Sequence, residues 1–245
     1  MGKFCSVGIV VLAGFFVLVI VPDPEDKDER TFPFATLPTV IIDPGHGGED
    51  GGAQSKGISE KERTLDTALR LERILTVRGF PTVLTRAEDI TVPLSERAII
   101  ANNVRGPAVF VSIHFNTGRG GGVGVETFYA DYKVPPPGDW RWIGFFILDG
   151  PPDLGETLAT EVQRAVLLET GARDRGIKPE KLYVTRHTVC PAILVEGGFL
   201  SNRAESKLVS DEHYAESLAK GIAVGIEAWC KTQNFQSSPA LTQKW

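Results

Sequence analysis

The sequence predicts an α/β domain: a single, mainly parallel, twisted sheet of about six strands with helices on both faces, preceded by an N-terminal membrane-anchor or signal helix. Three observations carry this reading. Short apolar runs alternate with segments of helical periodicity from Val40 to Lys231. Val40, Ile41 and Ile42 are apolar in succession, the pattern of a strand covered on both faces. Residues 4–21 contain no charged side chain, whereas Asp23, Glu25, Asp26 and Asp28 follow at once.

The elements follow in order. Pro44, Gly45, Gly47 and Gly48 force a sharp turn behind the strand at Val40–Ile42 and present His46 at its C-terminal mouth, the rim where open α/β sheets bind ligands. Residues 60–78 place Leu65, Ala68, Leu69, Ile74 and Leu75 near one face of a helix that Gly79 stops. Further strands are expected at residues 81–85, 108–113, 124–129, 181–185 and 192–195, and further helices at 94–104, 155–170 and 214–231.

The N-terminus has its own logic. A run of about 18 apolar residues sits at the lower edge of a membrane span and exceeds the roughly 7 to 15 of a signal-peptide core. Lys3 in front and acidic residues behind place the short N-terminus in the cytoplasm and the rest outside it. Residues 1–22 thus read as an uncleaved membrane anchor through residues 4–21, with a cleaved signal peptide as the alternative, and either form exports the domain. Residues 23–37 read as a linker, 38–232 as the folded domain and 233–245 as a tail.

Composition narrows the partners. At 245 residues, 42% hydrophobic and 23% charged, the chain suits one globular domain with a short extra segment. A net charge of −5 argues against a nucleic-acid partner, which calls for a basic face. Cys5, Cys190 and Cys230 form no Cys-x-x-Cys pair, so neither a cysteine zinc site nor a disulfide framework is supported.

Polar residues at the strand ends form the candidate site. The strand at 108–113 releases His114 and that at 192–195 releases Glu196, at what should be the rim that carries His46. Glu60 opens the helix after the glycine turn and can face the same rim. Two imidazoles and a carboxylate around an open position suit a catalytic zinc, and a further carboxylate outside the coordination shell can move protons.

The blocks DPGHGGEDGGA, EKERTL, LTR, LSERAIIAN, SIHFN, GVETFY and VEGGFLSN, in this order, resemble the zinc-dependent N-acetylmuramoyl-L-alanine amidases of bacterial cell-wall remodelling. The similarity covers about Val40 to Cys230. It implies that His46, Glu60 and His114 hold one Zn2+ and that Glu196 is the catalytic carboxylate. Glu62 competes with Glu60, but the family's Glu-Lys pair falls on Glu60 and Lys61. The implied substrate is the peptidoglycan amide joining N-acetylmuramic acid to L-alanine. The resemblance also implies that the membrane met by residues 4–21 is the inner one and that the domain stands on the periplasmic side of the cell envelope. Asn116 and His187 are weaker candidates for substrate contact, and Arg86 and Arg97 read as structural ion pairs. Residues 131–155 form a proline-flanked insert with Trp140, Trp142, Phe145 and Phe146. By analogy with family members whose insertion near this place blocks the cleft until a partner removes it, the insert reads as a docking site for a protein activator; an ordinary packed loop is the alternative.

Overall fold

The structure is a computed structural model that describes residues 6–12, 15–21, 37–55, 57–118, 121–130 and 154–235. The chain divides into two units, residues 1–34 and 35–245. In the first, β1 (Ser6–Leu12) and β2 (Phe15–Val21) pair antiparallel, with Ser6 opposite Val21 and Leu12 opposite Phe15. This differs from the apolar helix expected there. The valines and isoleucines that make the run hydrophobic are also strong strand formers. No helix among the described residues is long and apolar enough to cross a membrane.

The second unit alternates strand and helix. It runs β3 (Thr39–Pro44), a small hairpin of β4 (Gln54–Ser55) and β5 (Ile58–Ser59), α1 (Glu60–Val77), β6 (Thr82–Leu84), α2 (Leu94–Asn102), β7 (Ala108–Asn116), β8 (Val125–Ala130), α3 (Leu154–Thr170), β9 (Asp174–Glu180), α4 (Tyr183–His187), β10 (Ala192–Phe199), α5 (Arg203–Val209) and α6 (Glu212–Thr232). The main sheet has the order β6-β3-β7-β10-β8-β9. Strands β6, β3, β7 and β10 are mutually parallel; β8 pairs antiparallel with β10, and β9 runs with β8. Hence the C-terminal ends of β3, β7 and β10 meet one rim, joined there by the beginnings of β8 and β9.

Burial on both faces explains the unbroken apolar strands. Val40, Ile42, Val109, Val111, Ile113, Ile193 and Val195 enter the core beneath α1, α3 and α6, while Ile41, Phe110 and Ala192 enter a smaller cluster with Ala101 of α2 and Val184 of α4. Helix α1 turns by about one residue from the expected face: Thr64, Thr67, Ala68, Leu71 and Leu75 are buried, and Leu69 is exposed. Gly221 and Gly225 of α6 let it lie against α3, since a Cβ there would come within 2.6 and 2.4 Å of the Cα atoms of Val166 and Val162.

One strand is misplaced by the sequence. Residues 183–187 form helix α4, and the edge strand β9 lies earlier, at Asp174–Glu180. Its residues are polar, with Gly176 at φ 78° and Pro179, as edge strands tolerate. Periodicity therefore pointed past it to Leu182-Tyr183-Val184, which bury Val184 as a helical turn. The insert expected at 131–155 falls mostly on residues outside those described.

Candidate metal centre

The first functional turn is built on a buried base. Asp43 is fully buried at the end of β3, where Oδ1 accepts from Thr85 Oγ1 at 2.6 Å and Arg97 at 2.8 Å, and Oδ2 accepts from Ser112 Oγ at 2.7 Å. The next three carbonyls are held from below. Pro44 O accepts from Arg86 Nε and Arg97, Gly45 O from Arg86 and Thr64 Oγ1, and His46 O from Arg97 at 2.6 Å. Arg97 forms the ion pair that the sequence suggested; Arg86 instead spends its donors on carbonyls and the Thr64 hydroxyl. So clamped, His46 sits at φ 60°, a backbone region that a non-glycine residue keeps only when its surroundings enforce it.

The cluster then closes around one carboxylate oxygen. Glu60 Oε1 lies 3.0 Å from His46 Nε2 and 3.0 Å from His114 Nδ1, and accepts from the Phe115 amide at 3.1 Å. Its other oxygen accepts from the Ala53 amide at 2.8 Å. Burial pushes this carboxyl upward, but hydrogen bonds from His114 and His46 more than offset it and hold Glu60 well below the usual carboxylate range. Its place in the first turn of α1 adds the favourable helix dipole. Glu62, two residues further along α1, is exposed.

His46 Nδ1 lies 2.8 Å from Asp50 Oδ2. A carboxylate there can only accept, so Nδ1 carries a proton whether Nε2 donates to Glu60 or, with a metal bound, would offer its lone pair to the ion. The rings of His46 and His114 meet edge to face, 4.8 Å apart. Two glycines make room: a Cβ on Gly45 would come within 2.3 Å of the His114 ring, and one on Gly52 within 2.6 Å of both Glu60 Oε2 and His46.

Glu196 stands beside this group. In register it is the neighbour of His114 across β7–β10 and of Glu126 across β10–β8. Its Oε2 is buried without a hydrogen-bond partner. Burial, with the charges of Glu60 and Glu126, pushes its carboxyl well above the ordinary value.

The donor set fits a metal ion. The three ligand atoms lie within 4.8 Å of one another. Tetrahedral zinc, with bonds of about 2.0–2.1 Å, spaces its ligands by about 3.3 Å, close to the 3.0 Å found between Glu60 and each imidazole.

Comparison with known proteins decides the family. The family described as N-acetylmuramoyl-L-alanine amidase matches residues 40–228. The chain belongs to the N-acetylmuramoyl-L-alanine amidase family. Within it, the sporulation-specific N-acetylmuramoyl-L-alanine amidase of Bacillus subtilis is 35% identical over 202 residues, 81% of this chain and 71% of that protein. An uncharacterized cell wall amidase of Bacillus anthracis is 33% identical over 213 residues, which span 82% of this chain but 38% of the relative. Among solved structures, an N-acetylmuramoyl-L-alanine amidase from Clostridium difficile 630 superposes with a TM-score of 0.70 at 34% identity, covering 81% of this chain and 99% of that one. The CwlD amidase from Clostridioides difficile, solved in complex with the GerS lipoprotein, is 29% identical with a TM-score of 0.67, covering 80% and 99%.

The remaining sequence candidates fall differently. Asn116 reaches the rim, where Nδ2 donates to Glu126 at 2.6 Å. His187 is not brought to the cluster: it ends α4, ahead of β10, stacks on Tyr183 and has its carbonyl tied to Asn102 at the far end of α2. That places it near the N-terminal ends of β7 and β10, away from the rim, because residues 183–187 form a helix ahead of β10. Asp50 and Glu126 escaped the sequence reading. A carboxylate four residues from a turn histidine, and a glutamate inside the apolar run VETFYA, were the available signals.

Proposed function

We propose that this chain is a zinc amidase that hydrolyses the bond between N-acetylmuramic acid and L-alanine in peptidoglycan, with His46, Glu60 and His114 as the metal ligands and Glu196 as proton carrier. The observation that carries the proposal is the convergence of two imidazole nitrogens on Glu60 Oε1 beside an unpartnered buried carboxyl oxygen of Glu196. When bound, Zn2+ supplies a Lewis acid that lowers the pKa of water to about 7 and polarises a carbonyl.

The protein's own groups supply the rest. Asp50 fixes the His46 tautomer, and the Phe115 and Ala53 amides hold Glu60 ionised and in place. Glu196 takes the proton of the attacking water as the C–O bond forms, then delivers it to the nitrogen as the C–N bond breaks. Its raised affinity for protons suits the second half of that cycle. The products are a muramic acid carboxylate and a peptide with a free L-alanine amino end.

The family relationship supports a place at the cell envelope, and the apolar residues 4–21 support export. An inner-membrane anchor, and a protein activator acting through residues 131–155, belong to the same proposal. Digestion of purified muropeptides by the zinc-loaded chain tests it: a new L-alanine amino terminus is expected, and cleavage within the peptide or the glycan would overturn it.

A further inference from the structure

A second polar group lies on the far side of Glu196 from the imidazoles. Glu126 is only 2% exposed. Its Oε1 accepts from Asn116, and its Oε2 accepts from Arg175 Nε at 3.0 Å and from Lys178 Nζ. One carboxylate therefore answers two cations, and these three side chains together carry a charge of about +1. The cationic side chains stay open to solvent, Arg175 at 32% and Lys178 at 42%. Arg175 Cζ sits 4.7 Å over the Phe199 ring, and that ring is wedged against Gly122, where a Cβ would come within 2.3 Å of it.

This geometry sets the guanidinium in advance. With Nε on Glu126 and one face on Phe199, both terminal nitrogens of Arg175 lack an acceptor among the described residues. They form the planar fork that grips a carboxylate through two parallel hydrogen bonds. Two fixed contacts on one side chain also remove most of the rotamer entropy that an exposed arginine would lose on binding.

We propose that Arg175 and Lys178 form a subsite for a carboxylate of the substrate's peptide, close to the bond that is cut. The inference rests on the amidase reading and deepens it. Along the rim the order is His46 on β3, His114 on β7, Glu196 on β10, Glu126 on β8 and the two cations on β9. From β10 to β9 is two strand spacings, about 9.6 Å. An extended peptide advances about 3.3–3.6 Å per residue, so the gripped carboxylate belongs to a residue within about three positions of the scissile amide. The occupant is an acidic peptide, not a neutral one, and the buried Glu126 keeps the two cations aimed at it.

Binding of two synthetic muramoyl peptides to the full chain tests this, one with free peptide carboxylates and one with the same groups amidated. The wild type is expected to bind the acidic form about tenfold more tightly, as a charge-assisted bidentate contact allows. Arg175→Gln with Lys178→Gln should bring the two affinities together, while Arg175→Lys keeps only part of the preference. Equal affinities in the wild type, or a preference that survives in the double variant, would overturn the subsite. Digestion of the same peptides is read separately. Selective binding without release of L-alanine-ended peptide would leave the subsite standing and remove the amidase reading; release without selectivity would do the reverse.

Discussion

Gly45→Ala places one methyl group against the cluster of His46, Glu60 and His114. A Cβ there would lie 2.3 Å from His114 Cε1 and 2.4 Å from Nε2, whereas ordinary contact begins at 3.4 Å, so one partner must retreat by about 1.1 Å. The backbone is poorly placed to give way. Gly45 N donates to Ile113 O at 3.0 Å, and Gly45 O accepts from Arg86 and Thr64 at 2.8 Å each. The ring must therefore move, and Nδ1 leaves its 3.0 Å position against Glu60. A misplacement of about 1 Å costs on the order of 100-fold in rate. Zinc affinity should fall at least as far as it does on loss of an outer-shell partner, about 10–100-fold. Zinc competition against a chromogenic chelator and kcat/KM on a muropeptide read the two effects, with far-ultraviolet circular dichroism checking the fold. A folded Gly45→Ala protein with zinc affinity and turnover within twofold of the wild type would refute the reasoning.

Three further outcomes are expected. Asp50→Asn should weaken zinc binding by about 10–100-fold, because one amide oxygen cannot accept from both the Gly52 amide and His46 Nδ1 as the two carboxylate oxygens do, and the negative charge beside the imidazole is lost; chelator competition measures it. Arg97→Met leaves Asp43 charged and fully buried without its cation, and should destabilise the domain by about 3–5 kcal/mol in denaturant unfolding. The third concerns pH in the metal-free protein. The Glu196 carboxyl is raised in the folded state, so the unfolded chain releases its proton first and stability falls as pH rises from the unfolded value of about 4.3 towards the folded one. Glu60 has the opposite sign: its carboxyl is depressed, so its contribution is complete above about pH 4.3 and is lost as pH falls below that. Thermal midpoints of chelator-treated Glu196→Gln should thus exceed those of the wild type at pH 7 by more than they do at pH 4; an equal difference at both values would contradict the assignment.

The sequence made the parallel half of the sheet legible because β3, β7 and β10 are buried on both faces and need continuous apolar residues. The same property made His46, His114 and Glu196 visible, as polar residues at the ends of such runs. What escaped follows from weaker physics. Edge strand β9 needs no apolar pattern, so Arg175 and Lys178 arrived unseen with it. Glu126 belongs to a strand that was foreseen, but its partners come from β7 and β9, and no local pattern reports contacts that only the sheet order creates. His187 was drawn to the rim by a strand that is in fact α4.

Zinc content and muropeptide turnover, measured on the same preparations of wild type, His114→Ala and Glu196→Gln, separate holding the metal from moving the proton. One zinc per chain is expected in the wild type and in Glu196→Gln and little in His114→Ala, with turnover in the wild type alone; Glu196→Gln should fall by about 10²–10⁴. Full zinc in His114→Ala, or wild-type turnover in Glu196→Gln, would contradict a centre built from His46, Glu60, His114 and Glu196.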